Sequence, residues 1–129
     1  MLADHNIQPV FEMINGTDMP RFLVQNVAQA QEMLEAVQHP ALKMQYDCYH
    51  MAMMGEDVFE ALKENIDTIG HIQFADCPGR HEPGTAIVNY VEIFQWLENS
   101  QYQGYVAAEY RPLKHSAASF GWKTRYFAD

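Results

Sequence analysis

Four side chains that can offer oxygen to a cation occupy four similar settings in this sequence. Glu12 falls in PVFEMIN, Asp47 in LKMQYDCYHM, Gln73 in HIQFADCPGRHEPGT and Glu109 in GYVAAEYRP. Each sits in a short apolar or β-prone run bounded by turn or capping residues, which reads as a strand. Side chains alternate along a strand. Val10, Glu12 and Ile14 therefore share one face, as do Lys43, Gln45 and Asp47, then His71, Gln73 and Ala75, then Tyr105, Ala107 and Glu109. The opposite faces, such as Met44, Tyr46 and Cys48 or Ile72 and Phe74, are apolar enough to pack on helices. Three carboxylates and an amide converging in space call for a cation, because like charges a few ångströms apart cannot all stay ionised. All-oxygen ligation suits Mg²⁺ or Mn²⁺, with Zn²⁺ less favoured. One acid at a strand end is most often solvated or salt-bridged. The argument for a metal site is the repetition on one phase of four strands, and with no regular local motif the spacing leaves both readings open.

The elements that must hold these residues read as alternating strands and helices. Strands are expected at 9–14, 42–48, 71–76 and 104–110. Helices are expected at 26–38, 56–69 and 89–100, with a last one around 116–127 that Gly121 weakens. The order βαβαβαβα predicts parallel strands with right-handed crossovers and outer helices. Four such units make either a small open α/β sheet or half of a (βα)8 barrel, which in full needs about 250 residues. Length favours the open sheet. The polar residues toward the C-terminal ends of the strands favour the barrel, where the chemistry collects at that end.

The chain has 129 residues, the size of one ordinary domain. Its 48% hydrophobic and 19% charged residues are those of a globular protein, not a disordered one. A net charge of −9, from 8 basic and 17 acidic residues, argues against a nucleic-acid surface. No apolar run approaches the roughly 20 residues that span a bilayer, and the N-terminal stretch lacks the pattern of a signal peptide. A cytoplasmic location and no membrane partner are the expectation. Cys48 and Cys77 are far apart and form no CxxC, so free thiols are expected. Met44, Met51, Met53 and Met54 are expected to fill core or rim, and Trp96 to pack under its helix. Trp122 could equally cover the mouth of a barrel or pack.

The five segments PVFEMIN, LKMQYDCYHM, HIQFADCPGRHEPGT, the NY that follows, and GYVAAEYRP resemble the hydroxypyruvate isomerase family, part of the xylose-isomerase-like barrels. The resemblance runs from Ile7 to about Arg125 and matches only strands five to eight of such proteins. It implies one domain, residues 1–129, that is the C-terminal half of a TIM-type barrel, a (βα)4 unit. It implies that Glu12 and Glu109 are acid/base residues and metal ligands, that Asp47 and Gln73 complete the ligand set, and that His50 and Arg80 contact substrate oxygens. Met1 falls where the family has helix four, as an internal start would. The strand-seven loop departs from the family pattern GTGEINY. Here it reads GTAIVNY, with Ala86 for glycine and Ile87 for glutamate, which puts the loop's geometry in question.

These residues fit an intramolecular proton transfer between adjacent carbons of an α-hydroxy carbonyl compound. Two glutamates can act as base and acid, and a divalent cation balances the charge of a cis-enediolate. Arg80 suits a substrate carboxylate through its two-pronged guanidinium, which favours hydroxypyruvate and tartronate semialdehyde over a neutral sugar. A related acid such as a 2-oxo-tetronate is an alternative substrate. An open half-barrel exposes two sheet edges, so pairing with a second copy or with a separate N-terminal half is expected. The contrasting reading is an inactive half-barrel, a fragment or an assembly piece. A DNA-repair nuclease of the same superfamily is disfavoured by the acidic charge and by missing zinc histidines.

Overall fold

In a computed structural model, the protein is described over residues 2–5 and 7–127; Met1 lies outside them. Four strands form one parallel sheet in the order β1-β2-β3-β4. They are β1 (Val10–Glu12), β2 (Lys43–Asp47), β3 (Ile69–Phe74) and β4 (Tyr105–Ala108). The helices are α1 (Val27–Val37), α2 (Cys48–Met53), α3 (Val58–Asn65), α4 (Tyr90–Asn99) and α5 (Gly121–Tyr126). The expected alternation is therefore present. Among the described residues, no helix is long and apolar enough to cross a membrane.

Local chemistry sets the helix starts. Asn26, Asp57 and Asn89 each accept a hydrogen bond from the backbone N–H three residues on, satisfying a donor that the helix leaves unpaired. Helix α1 ends at Gln38, which adopts a left-handed conformation (φ 50°) and donates its N–H to Leu34.

The differences from the sequence expectations have physical causes. The stretch read as one helix over 56–69 breaks after Asn65 into a 3-10 turn, Ile66–Thr68, and β3 begins at once. The final stretch divides at Gly121 into a 3-10 turn, Ser116–Phe120, and α5. Helix α2 was not anticipated, because it starts in the residue after β2 with no intervening loop.

The core lies on the outer face of the sheet, under the helices. Met13, Met44, Tyr46, Ile69, Ile72 and Phe74 from the β1–β3 region meet Ala30, Val58, Leu62, Ile93 and Phe94 from the helices. Met44 and Met51 are fully buried in it, as fillers of irregular space. Trp96 packs edge-on to Phe59, as expected. Trp122 packs edge-on to Phe74, and its indole N–H donates to Tyr110 Oη. It therefore belongs to the packed outer layer and does not cover the mouth. Cys48 and Cys77 are buried free thiols.

The inner face is different. Tyr105, on β4 opposite His71 of β3, is 84% exposed. Strand β4 is an edge, and among the described residues its inward side chains meet no facing wall.

Phe94 joins Phe74, Tyr90 and Tyr126 with ring centroids 5.1, 5.2 and 5.4 Å apart. Removing that ring empties the layer that fixes α4 and α5 on β3. Phe94→Ala is expected to cost about 3–5 kcal/mol, read from the urea midpoint at constant slope.

Candidate active site

The site stands at the C-terminal ends of the strands. In parallel strands, laterally paired residues point the same way, so the register decides what converges. Glu12 pairs with Gln45, Asp47 with Gln73, and Gln73 with Ala107. Glu12, Asp47 and Gln73 all face inward, and Glu109 follows one residue beyond β4, its N–H donating to Phe74 O at 3.0 Å. They do not lie at one level. Glu12 is level with Gln45, two residues before Asp47, so the four ligand candidates climb across the sheet.

The phase of β3 depends on an irregularity. Met44 pairs with Ile69, but the next residue, Gln45, pairs with His71, leaving Gly70 as an extra residue. A Cβ at Gly70 would come within 2.9 Å of Gln8 Oε1, Lys43 Cβ and Val10 Cγ1, so only glycine fits without moving them. The inserted residue places Gln73 opposite Asp47.

Asp47 is fully buried, and its two carboxylate oxygens have separate partners. Oδ1 caps α2, accepting from the N–H groups of Tyr49 at 2.8 Å and His50 at 3.4 Å. Oδ2 lies 3.5 Å from Arg80 Nη2 and 4.0 Å from His50 Nε2. Burial raises the Asp47 carboxyl to about 7, against the lowering effect of the Tyr49 N–H and of Arg80. Glu12 is raised as well, first by burial, while a hydrogen bond from Gln45 opposes the shift. Burial lowers His50 to about 4, so its imidazole is neutral at pH 7.

Glu12, Ile14, Asp18, Met19, His50, Arg80 and Glu109 line a cleft of about 190 Å³. Glu12, Asp47 and His50 bring one ligand-capable atom each within 4.8 Å of one another. Arg80 hydrogen-bonds Glu109 and spans to Asp47. Five of the six residues expected at the site thus meet directly: Glu12, Asp47, His50, Arg80 and Glu109. Gln73 stands beside them in the same inward row, its Oε1 accepting from Gln45 Nε2 at 2.6 Å. Glu109 is 51% exposed, because among the described residues nothing covers the far side of β4. Buried carboxylates with raised proton affinity, crowded beside another carboxylate, form a donor set that fits a hard divalent cation.

Three residues of this site were missed in the sequence. Gln45 shares a face with Asp47 and links Glu12 to Gln73. Asn15 is fully buried and contacts His50 Nδ1 at 2.6 Å. Asp76, also fully buried, accepts from five backbone N–H groups: Cys77 and Val88 on Oδ1, Gly84, Thr85 and Ala86 on Oδ2. Asp76 was legible as an acid just past β3, but its partners lie up to twelve residues on and became visible only in the folded loop.

That clasp answers the question raised by GTAIVNY. Ala86 donates its N–H to Asp76 from an ordinary negative-φ backbone, so the glycine's freedom is not needed there. Ile87 is 77% exposed, and its N–H donates to Cys77 O at 3.1 Å. The loop closes with both substitutions, holding Arg80 in a left-handed conformation (φ 56°) with its guanidinium over the Tyr49 ring at 5.1 Å.

A parallel sheet flanked by helices, with an acidic cleft at its C-terminal strand ends, defines half of a (βα)8-type barrel. The chain belongs to the xylose isomerase-like TIM barrel family, whose model matches residues 1–125. It is 39% identical to the hydroxypyruvate isomerase of Escherichia coli K12 over 126 residues, covering 98% of this chain and 49% of that protein. It is 36% identical to the 2-oxo-tetronate isomerase of Cupriavidus necator, covering 96% of this chain and 48% of that one. Among solved structures, an AP endonuclease family 2 protein from Brucella melitensis superposes with a TM-score of 0.90 at 30% identity, over 97% of this chain and 48% of that one. The chain spans about half the length of the curated relatives it matches.

Two outcomes follow from this geometry. Asp76→Asn keeps the shape but removes acceptor capacity, so the amides of Gly84, Thr85, Ala86 and Val88 are expected to lose hydrogen-exchange protection while those of β2 keep theirs. The second concerns pH. Asp47 ionises near 3.8 when unfolded and about 7 when folded, so its contribution to stability falls as pH rises through that window. His50 ionises near 6.5 unfolded and about 4 folded, so its contribution rises with pH over nearly the same range. The two oppose each other between about pH 4 and 6.5. Asp47→Asn, which keeps a good helix cap, is expected to make the slope of stability against pH more positive by up to about 1.4 kcal/mol per pH unit there. An unchanged slope in urea titrations would contradict the assignment.

Proposed function

We propose that this half-barrel carries the reacting groups of a metal-dependent isomerase that interconverts hydroxypyruvate and tartronate semialdehyde. The observation that carries the reading is the convergence of Glu12, His50, Arg80 and Glu109 on one cleft at the C-terminal end of a parallel sheet, with buried Asp47 behind it against Arg80 and His50. The names of the curated relatives, hydroxypyruvate isomerase and 2-oxo-tetronate isomerase, support the same chemistry on a small hydroxy-oxo acid.

In this reading Glu12, Asp47, Gln73 and Glu109 hold a divalent cation, Mg²⁺ or Mn²⁺ before Zn²⁺. When bound, the cation supplies positive charge to adjacent substrate oxygens. The chain's own groups do the proton transfers. One glutamate takes the proton from C3 of hydroxypyruvate. The electrons of that C–H bond form the C2–C3 double bond, and the C2 carbonyl becomes an enediolate oxygen. The O3 proton then passes to the C2 oxygen as C3 becomes an aldehyde, and C2 accepts a proton from the opposite glutamate, leaving a C2 hydroxyl. The composition of the substrate is unchanged. The raised proton affinity of Glu12, caused first by burial, brings that carboxyl nearer the operating pH of a base that must also return a proton. Arg80 supplies the fork for the substrate carboxylate, exchanging its contacts with Asp47 and Glu109 for the ligand.

The open inner face requires a wall for this chemistry to exclude water. A second copy of the chain, or a separate chain supplying the other four strands, is the partner proposed. No membrane or nucleic-acid partner is invoked, and a cytoplasmic setting suits two buried free thiols. The competing reading, a half-barrel without activity, is favoured by the 51% exposure of Glu109.

The test is solvent deuterium exchange at C3 of hydroxypyruvate, followed by proton NMR with Mn²⁺ and then with excess chelator. The full chain is expected to exchange with metal and to stop on chelation. Glu12→Gln and Glu109→Gln are each expected to slow exchange by about 10²–10⁴-fold. Exchange at wild-type rates in both variants would remove the glutamates from the mechanism, and light scattering on the same samples reports whether the active species is larger than one chain.

A further inference from the structure

Asn15 has its full hydrogen-bonding capacity committed, and the way it is committed determines the state of His50. Its Oδ1 accepts from the backbone N–H groups of Thr17 at 3.1 Å and Asp18 at 2.8 Å. Those are fixed donors, so the oxygen must face them, and the amide cannot be turned over without setting Nδ2–H against two N–H groups. The other end is therefore Nδ2, with two hydrogens. One goes to Asp18 Oδ2 at 3.0 Å, which also accepts from Tyr49 Oη at 2.8 Å. The second points at His50 Nδ1, 2.6 Å away. The backbone N–H of Asn15 points at the same ring nitrogen from 3.4 Å. Two donors on Nδ1 leave it no room for a hydrogen of its own. In a neutral imidazole, the hydrogen is then on Nε2.

Nε2 is the atom that looks into the cleft. It lies 3.9 Å from Glu12 Oε1 and 4.0 Å from Asp47 Oδ2, beyond hydrogen-bond length from both. We propose that Asn15 is a positioning residue that fixes His50 as its Nε2–H tautomer, so that the ring presents a neutral donor to a substrate oxygen in the cleft instead of a lone pair to a cation. The three atoms Glu12 Oε, Asp47 Oδ and His50 Nε2 are near enough to suggest a shared ion. The tautomer separates them: two carboxylates remain as ligands, and the imidazole becomes a hydrogen-bond donor beside them. A donor that is already aimed and uncharged stabilises negative charge growing on a carbonyl oxygen without reorganising. The turn 15–18 thus acts on the chemistry through one ring, although Asn15 does not line the cleft.

The catalytic consequence rests on the isomerase reading, whereas the tautomer does not. The experiment is a long-range proton–nitrogen correlation spectrum of the ¹⁵N-labelled full chain near pH 7.5, with the His50 ring assigned by its loss in His50→Gln. The wild type is expected to show a pyridine-type Nδ1 and a pyrrole-type Nε2, unchanged on saturation with Zn²⁺. The reverse pattern, or loss of the Nε2 proton on adding Zn²⁺, overturns the proposal. In Asn15→Asp the side chain still accepts from Thr17 and Asp18 but offers His50 an acceptor, so Nδ1 is expected to become protonated. The hydroxypyruvate turnover number should then fall by about 100-fold, with KM changed less than threefold. An unaltered ring pattern in that variant, or an altered pattern with turnover unaffected, also overturns it. If Asn15→Asp does not fold, the wild-type spectrum with and without Zn²⁺ decides. If the wild type has no turnover on hydroxypyruvate, the isomerase reading fails and the ring spectrum still judges the inference.

Discussion

Asp47 holds two structures together by dividing its carboxylate between them. Oδ1 caps α2 and so fixes the helix that begins one residue after β2. Oδ2 is left facing Arg80 and His50. A side chain fully removed from water cannot hold a negative charge without such partners, and burial still pushes it up to about 7. The helix start and the charge demand of the cleft both follow from placing one carboxylate at the end of a central strand, while burial keeps the histidine three residues on neutral. The cap costs the site nothing, because a carboxylate has more than one acceptor position.

The second organising carboxylate, Asp76, works without touching the cleft. It gathers five N–H groups from a loop rich in glycine and proline and gives that loop a fixed path. Arg80 is carried on this path to a place between two carboxylates. The loop tolerates Ala86 and Ile87 because what closes it is the set of backbone donors, not the side chains. Among the described residues, the inner face has no equivalent closure. Tyr105 at 84% exposure and Glu109 at 51% mark where a wall is missing, and they explain why the most solvated member of the site is the one on the edge strand.

Much of this was legible in the residues. The four runs around Glu12, Asp47, Gln73 and Glu109 read as strands, and alternation placed the oxygen ligands on one phase. The amphipathic stripes located the three long helices to within about two residues at their starts. The family motifs added His50 and Arg80, both of which reach the cleft. Helix α2 was hidden because CYHMAM is too short to show a period and follows a strand without a gap. Gln45 was read as sharing Asp47's face but without a role, since its two partners come from neighbouring strands.

The sequence by itself determined the order of elements, the apolar and polar faces of each strand, and the kinds of groups available for chemistry. These depend on periodicity and local propensity, which a chain carries whether or not it is folded. The tertiary structure decided which groups meet and in what state. The extra residue at Gly70 shifts β3 by one place and so turns Gln73, not Ile72, toward the row of Asp47, because pairing in a sheet is a contact between distant segments. Asn15 and His50 are thirty-five residues apart, and nothing in either neighbourhood announces their contact. Only with the turn at 15–18 closed does the amide have one permitted orientation, and through it the imidazole has one permitted tautomer.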